Sequence, residues 1–296
     1  VKKLFYYFKC ELNILIVNIE KMSARHRYGQ RLITIAGYVT PLTAAAIEMA
    51  GNINSTKHPT FYALFSYVKE YSLIGYLMMF LIFISGAYLS KSGNKVCWEA
   101  LQVQIDELQA IAFSEHIQDG NDLHRVTLFK YKKWCFGRHR WNLKAWFKSI
   151  SKGVAPNSGW LMPVLRSGHL TKNTKTVFAV PDNSADAEGV AGQCWASDYT
   201  VHVENLPSLN SASNDDNRLK YSHRTKIPIE LIGEYVDNGK TLSRSLMAIP
   251  VKDDTGCRWG VVVLDSQKKT GIDKIETEKA FRTIISTLGV LVGGIK

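Results

Sequence analysis

The chain has 296 residues, 46% of them hydrophobic, with 21 Gly, 8 Pro and five Cys. This composition excludes disordered, collagen-like and disulfide-stapled classes, and Cys10, Cys97, Cys135, Cys194 and Cys257 leave no CxxC pair for a zinc or thioredoxin-type site. The net charge of +11 is regional: residues 120–180 hold 12 Lys and Arg against one acid, so an anionic contact is expected there, and specific DNA binding is not.

Residues 1–31 form a basic N-terminal segment. Phe5-Tyr6-Tyr7-Phe8 and Leu12 to Ile19 are apolar but too short to span a bilayer, and no small-residue cleavage site marks a signal peptide. Met22-Ser23-Ala24 reads as a natural start, which makes residues 1–21 an upstream extension of the gene. Residues 32–51 form the first expected span. They are charge-free to Ile47, Pro41 is tolerated inside a membrane helix, and Ala44, Ala45 and Ala46 suit close packing against a neighbour. Residues 52–70 form a loop whose Phe61-Tyr62-Ala63-Leu64-Phe65-Ser66-Tyr67 suits the outer interface.

Residues 71–90 carry no charge and form the second span, since a helix rising about 1.5 Å per residue crosses a hydrocarbon core of about 30 Å over that length. Lys21, Arg25, Arg27 and Arg31 precede the first span, and Lys91 and Lys95 follow the second. The positive-inside tendency then places both termini in the cytoplasm of a multi-pass inner (plasma) membrane protein. Residues 94–117 space Val96, Leu101, Val103, Ile105, Leu108, Ile111, Ala112 and Phe113 as an amphipathic linker helix. That helix pairs with a second copy or packs on its own domain; the spacing allows both.

Residues 118–296 read as one α+β domain. Strand-like runs are Arg125 to Tyr131, Trp160 to Arg166, Tyr199 to Val203, Leu246 to Val251 and Trp259 to Asp265. Asp253-Asp254-Thr255-Gly256 supplies the turn of a last hairpin. Helical patterns cover Ala185–Ser197 and Ile275–Leu291, and Asn205–Asn217 reads as a surface loop. The fold class expected is an antiparallel sheet flanked by helices, preceded by two transmembrane helices.

The order of these pieces resembles the GAF sensory domain family. The residues that carry the resemblance are Arg125-Val126-Thr127-Leu128-Phe129, then Glu188-Gly189-Val190-Ala191-Gly192-Gln193-Cys194-Trp195, then Val201-His202-Val203-Glu204-Asn205-Leu206-Pro207. Ser245-Leu246-Met247-Ala248-Ile249-Pro250-Val251 and Trp259-Gly260-Val261-Val262-Val263-Leu264-Asp265-Ser266 complete it. It covers roughly 100–296. The resemblance implies a small-molecule ligand between the sheet and the overlying helices, with Trp195, Tyr221, Arg244, Ser245 and Trp259 as pocket residues. It implies sensing and not chemistry, so the chain is expected not to be an enzyme. In the free methionine-sulfoxide reductase branch a Cys stands between two motif glycines, where this chain has Ala191. No cyclic-nucleotide signature or bilin-attachment context is present, so the ligand and any cofactor stay open.

Residues 132–175 exceed the strand-to-strand link such a domain needs. Lys132, Lys133, Arg138, Arg140, Lys144, Lys148 and Lys152 alternate with Trp134, Phe136, Trp141, Trp146 and Phe147. Anionic lipid headgroups, a nucleotide or other anionic ligand, and a plain solvated insertion all fit this pattern. His124, His139, His169, His202 and His223 lack metal spacing and read as surface residues. The chain is therefore expected to be a bacterial membrane-anchored cytoplasmic sensor of a small-molecule or nucleotide-type signal. It would relay that signal to its membrane segment or to a partner signalling enzyme, as a monomer or homodimer. The rival readings are a membrane-disrupting effector of a stress or phage-defence system, and a GAF-like scaffold that contacts anionic lipid without binding a ligand.

Overall fold

A computed structural model describes residues 2–52, 58–116, 122–133, 157–169, 176–181, 184–210 and 212–295. The chain divides into two compact units, one around Glu99–Gly293 and one around Asn13–Trp98 with Gly294–Lys296.

The second of these is helical: α1 (Lys2–Asn52), α2 (Pro59–Glu70), α3 (Ser72–Ser90) and the start of α4 (Lys95–Ala112). Ser23–Met49 and Ser72–Ala112 are long and apolar enough to cross a membrane. In α1 the helix continues through Pro41, and the nearby hydroxyls fold back onto the backbone: Thr40 Oγ1 donates to Ala36 O at 2.7 Å and Thr43 Oγ1 to Val39 O at 2.9 Å. A polar group satisfied inside its own helix adds little to the cost of an apolar solvent. On α3, Leu73 is 81% exposed, and Ile74, Leu77, Phe80, Leu81 and Phe83 are exposed as well. α1 and α3 meet antiparallel at two glycines. A Cβ on Gly29 would lie 2.7 Å from Gly86 O, and one on Gly86 would lie 2.9 Å from Gly29 O. One turn away, His26 Nδ1 sits 2.6 Å from Ser90 O. The turn after α3 is pinned as well: Trp98 Nε1 donates to Ser92 O at 2.8 Å, and Asn94 Oδ1 caps α4 by accepting from Cys97 N at 2.8 Å.

The other unit is an α+β domain around one antiparallel sheet. Its strands are β1 (His124–Lys132), β2 (Trp160–Ser167), β3 (Phe178–Ala179), β4 (Val201–Val203), β5 (Ser245–Lys252) and β6 (Arg258–Ser266), in the order β3-β2-β1-β6-β5-β4. Its helices are the rest of α4, then α5 (Gly189–Ser197), α6 (Asp215–Thr225), α7 (Ile229–Asp237) and α8 (Lys274–Gly293). The five strand-like runs, the last two read as a hairpin, all form. Pro163 lies where the β1–β2 register slips, between the pairs Leu128–Leu165 and Phe129–Pro163, so its missing N–H falls at a bulge.

Period-two alternation sorts the sheet into two faces. Phe129, Leu161, Leu246, Ala248, Val261 and Val263 share one face with Val190, Ala191 and Cys194 of α5, Tyr221 of α6 and Ile232 and Val236 of α7 in a single apolar cluster. Residues of the alternate set, among them Val126, Leu128, Met247 and Leu264, are also fully buried. On α4, Leu101, Ile105 and Leu108 are fully buried, with Phe113 just past its end, whereas Val96, Val103 and Ile111 of the same expected set are exposed.

Several elements differ from the sequence reading: Pro59–Glu70, read as part of a loop, is the helix α2, α1 runs from Lys2 and not from near residue 32, and β3 and α7 have no counterpart in that reading. The helix expected from Ala185 begins only at Gly189, because Gly189 has φ +72° and cannot lie inside a right-handed helix; a short 3₁₀ turn at Ser184–Asp186 precedes it. The segment read as loop to Asn217 enters α6 at Asp215, where Asn214 Oδ1 accepts from Asn217 N at 3.1 Å.

Candidate functional site

On the face that carries the apolar cluster, β1 presents Arg125 and Thr127 in line with Phe129 and Tyr131. The strand thus runs from a polar end to an apolar end on one side of the sheet. Arg125 stands directly opposite Asp265 of β6, and Thr127 opposite Arg166 of β2. This register creates two linked polar groups beneath α6 and α7.

The first group centres on Asp265. Arg125 Nε donates to Asp265 Oδ1 at 2.7 Å, and Ser243 Oγ donates to the same oxygen at 2.8 Å. Arg125 Nη2 lies 3.1 Å from Ser243 Oγ, and Tyr221 Oη donates to Ser243 O at 2.9 Å. Burial opposes the charge of Arg125, but the Asp265 carboxylate, with Asp122 behind it, holds its pKa above the ordinary value. Burial pushes the Tyr221 phenol up, and Asp265 adds to that, so it stays a neutral donor.

The second group centres on His169. Arg166 Nη2 lies 2.6 Å from His169 Nδ1, and Thr127 Oγ1 lies 3.0 Å from His169 Nε2. A guanidinium can only donate, so Nδ1 is the unprotonated acceptor and Nε2–H donates to Thr127. The ring is therefore a neutral tautomer fixed by its neighbours. Burial, then Arg166 and Arg125, push its pKa down to about 2. Burial and the nearby Arg125 also lower the pKa of Arg166. His169 is 5% exposed, which corrects its reading as a surface residue; His124, also read as exposed, is 5% exposed too.

At the apolar end, Trp195 stacks on Tyr131 with ring centroids 4.5 Å apart and planes at 8°. Arg258 covers the other ring contact, 5.1 Å from the Trp195 ring, and its Nη1 donates to Trp195 O at 2.7 Å. Cys194 is fully buried, and burial followed by Asp198 pushes its thiol up to about 12, so it stays protonated at neutral pH. Among the described residues, no group of three or more His, Cys, Asp or Glu could hold a metal.

The five pocket residues expected from sequence fall in separate places. Tyr221 belongs to the Asp265 group, and Trp195 to the aromatic stack. Arg244 Nε donates to Leu206 O at 3.4 Å. Ser245 is fully buried on the alternate face from Leu246 and donates to Lys268 O at 3.0 Å. Trp259 is 7% exposed, with Lys130 Nζ 5.3 Å from its ring centre. Of the basic insertion, Lys132 closes β1 and Lys133 follows it; Arg138, Arg140, Trp141, Lys144, Trp146 and Lys148 lie outside the described residues. Sequence reading passed over Arg125, Arg166, His169, Ser243 and Asp265 as members of a site. The available signal was a polar residue at each inward position near the end of an otherwise apolar strand.

No family model and no curated protein matches the chain. Among solved structures, a GAF domain is 13% identical, with 70% of this chain and 84% of that one covered at a TM-score of 0.32. A type II free methionine-R-sulfoxide reductase from Thermoplasma acidophilum is 14% identical over 66% of this chain and 93% of that one, at a TM-score of 0.30. A phycoerythrobilin-bound GAF domain from a cyanobacterial phytochrome is 11% identical over 68% and 92%, also at 0.30. The fold is GAF-like. Such likeness concerns fold alone, and the six-stranded order flanked by helices is visible in this chain itself. The expectation that the chain is not an enzyme is corrected here. Reductases from Thermoplasma acidophilum and Neisseria meningitidis, 14% and 15% identical, share the GAF-like fold, so the fold does not exclude catalysis, nor does it make this chain an enzyme.

Proposed function

We propose that the chain is a membrane-anchored sensor whose GAF-like domain takes a small polar or nucleotide-type ligand. The observation that carries this reading is the buried polar set on the sheet face under α6 and α7. Arg166 there donates to a neutral imidazole, beside a second guanidinium and a fixed phenol, and an apolar cluster adjoins it. The buried guanidiniums of Arg125 and Arg166, bonded to Asp265 and His169, suit exchange onto an anionic or carbonyl-bearing ligand, and the stack of Trp195 on Tyr131 suits a planar one. Both apolar helices are read as spans, with both termini and the GAF-like domain on the cytoplasmic side. Occupancy of the site would bias α4, which enters the domain directly from the second span, and so pass to the membrane segment, a second copy or a partner signalling enzyme.

The test uses the full chain in nanodiscs. Native mass spectrometry would look for a retained small molecule, and thermal unfolding would be followed with nucleotides and cyclic nucleotides. A ligand at 100 times its dissociation constant stabilises by about 2.7 kcal/mol, and Arg166→Gln should remove most of that shift. No retained molecule and no shift with any nucleotide would sink the sensor reading and leave the domain as a scaffold.

A further inference from the structure

Outside the GAF-like face, one end of the α1–α3 hairpin gathers exposed cations around the helix crossing. The Gly29–Gly86 contact and the His26–Ser90 hydrogen bond fix the register of the two helices there. His26 faces α3, so Arg25 and Arg27 flank the crossing on either side, about 100° around the helix each way. Arg31 follows one turn on, and Lys91 stands next to Ser90 at the end of α3. All four cations are exposed. No Asp or Glu occurs from Ser23 to Ile47 or from Ser72 to Trp98; the carboxylate that precedes this stretch of α1 is Glu20. At the other end of the hairpin, the charged side chains among the described residues are Glu48, Lys69 and Glu70. Between the two ends lies a surface of exposed Leu, Ile, Phe and Met.

We infer that this end of the hairpin is a binding collar for anionic phospholipid headgroups, seated around the α1–α3 crossing. The inference rests on the reading of α1 and α3 as membrane spans. Four cations spread over about 9 Å of helix length, near one end of an apolar surface, meet headgroup phosphates, and the glycine contact keeps both helices close enough for one lipid to touch both. An anionic lipid gains more there than a zwitterionic one, because its net charge is not offset by its own choline.

The full chain would be reconstituted in nanodiscs of equal parts phosphatidylcholine and phosphatidylglycerol, released in mild detergent, and its retained lipids counted by native mass spectrometry. Phosphatidylglycerol should be enriched over its share. The quadruple variant Arg25→Gln, Arg27→Gln, Arg31→Gln, Lys91→Gln should lose at least about fivefold of that enrichment, the factor a single cation contributes at an anionic surface. The charge-keeping set Arg25→Lys, Arg27→Lys, Arg31→Lys, Lys91→Arg should restore it. Enrichment that survives the quadruple variant, or that the charge-keeping set does not restore, overturns the collar. An alkaline carbonate wash of native membranes separates the two readings. A chain washed off overturns the spans and the collar together, whereas a chain that stays without lipid enrichment overturns the collar alone.

Discussion

His169 accepts from Arg166 and lies in the field of Arg125, so a proton on its ring would meet two positive neighbours in a dry site. Its folded pKa falls to about 2, against about 6.5 in an unfolded chain. Between those values the unfolded state binds a proton that the folded state does not. Stability is therefore intact above pH 6.5 and falls as pH drops below it, by about 1.4 kcal/mol per pH unit from this group. His169→Gln offers the same pair of contacts without a titrating ring: its amide oxygen can accept from Arg166 and its amide nitrogen can donate to Thr127. Denaturant unfolding of the full chain between pH 7 and pH 4.5 should show a slope shallower by that amount in the variant. Parallel slopes for the two proteins would mean that the ring is not held neutral by this network.

At the scale of elements, two glycines share a left-handed backbone but differ in surroundings. Gly189 opens α5 at φ +72°, and a Cβ there would lie 2.8 Å from the Phe178 ring; Gly239 has φ +68° with nothing within 4 Å of its Cβ position. Gly239→Ala should cost about 1–2 kcal/mol for the backbone alone. Gly189→Ala should cost about 1–3 kcal/mol more, since Phe178 must shift within the packed cluster. Equal urea midpoints for the two variants would show that α5 does not enter against β3 as described. The same contrast explains what was legible in the sequence. Strands such as Arg258–Ser266 show as an unbroken apolar run buried on both faces, and α4 shows part of its stripe at Leu101, Ile105 and Leu108. α6 was hidden because only Tyr221 and Thr225 of its otherwise polar run are buried. β3 has two residues, too few for any period. The polar site was hidden for a different reason: Arg125, the neighbouring Arg166 and His169, and Asp265 are far apart in the chain, and strand register sets Arg125 beside Asp265 and Thr127 beside Arg166.

The whole molecule joins a sheet domain with buried polar chemistry to helices whose apolar side chains have no core to enter. Leu73 at 81% and Tyr38 at 70% exposure are ordinary in hydrocarbon and costly in water. A hairpin of two spans also has a definite sidedness. With the cations of Arg25, Arg27, Arg31 and Lys91 at one end and Glu48, Lys69 and Glu70 at the other, the proposed orientation keeps the more cationic end in the cytoplasm. The loop between the spans then faces out. Two single-cysteine chains test this with a membrane-impermeant maleimide on intact cells, one keeping only the exposed Cys257 and one carrying Thr60→Cys with the native cysteines replaced. Thr60→Cys should label from outside, while Cys257 should label only after permeabilisation. The reverse pattern would invert the molecule in the bilayer and place the GAF-like domain outside the cell. Labelling of both sites on intact cells would mean that α1 and α3 do not form a two-span hairpin, so the exposed apolar surface must be covered by something other than lipid.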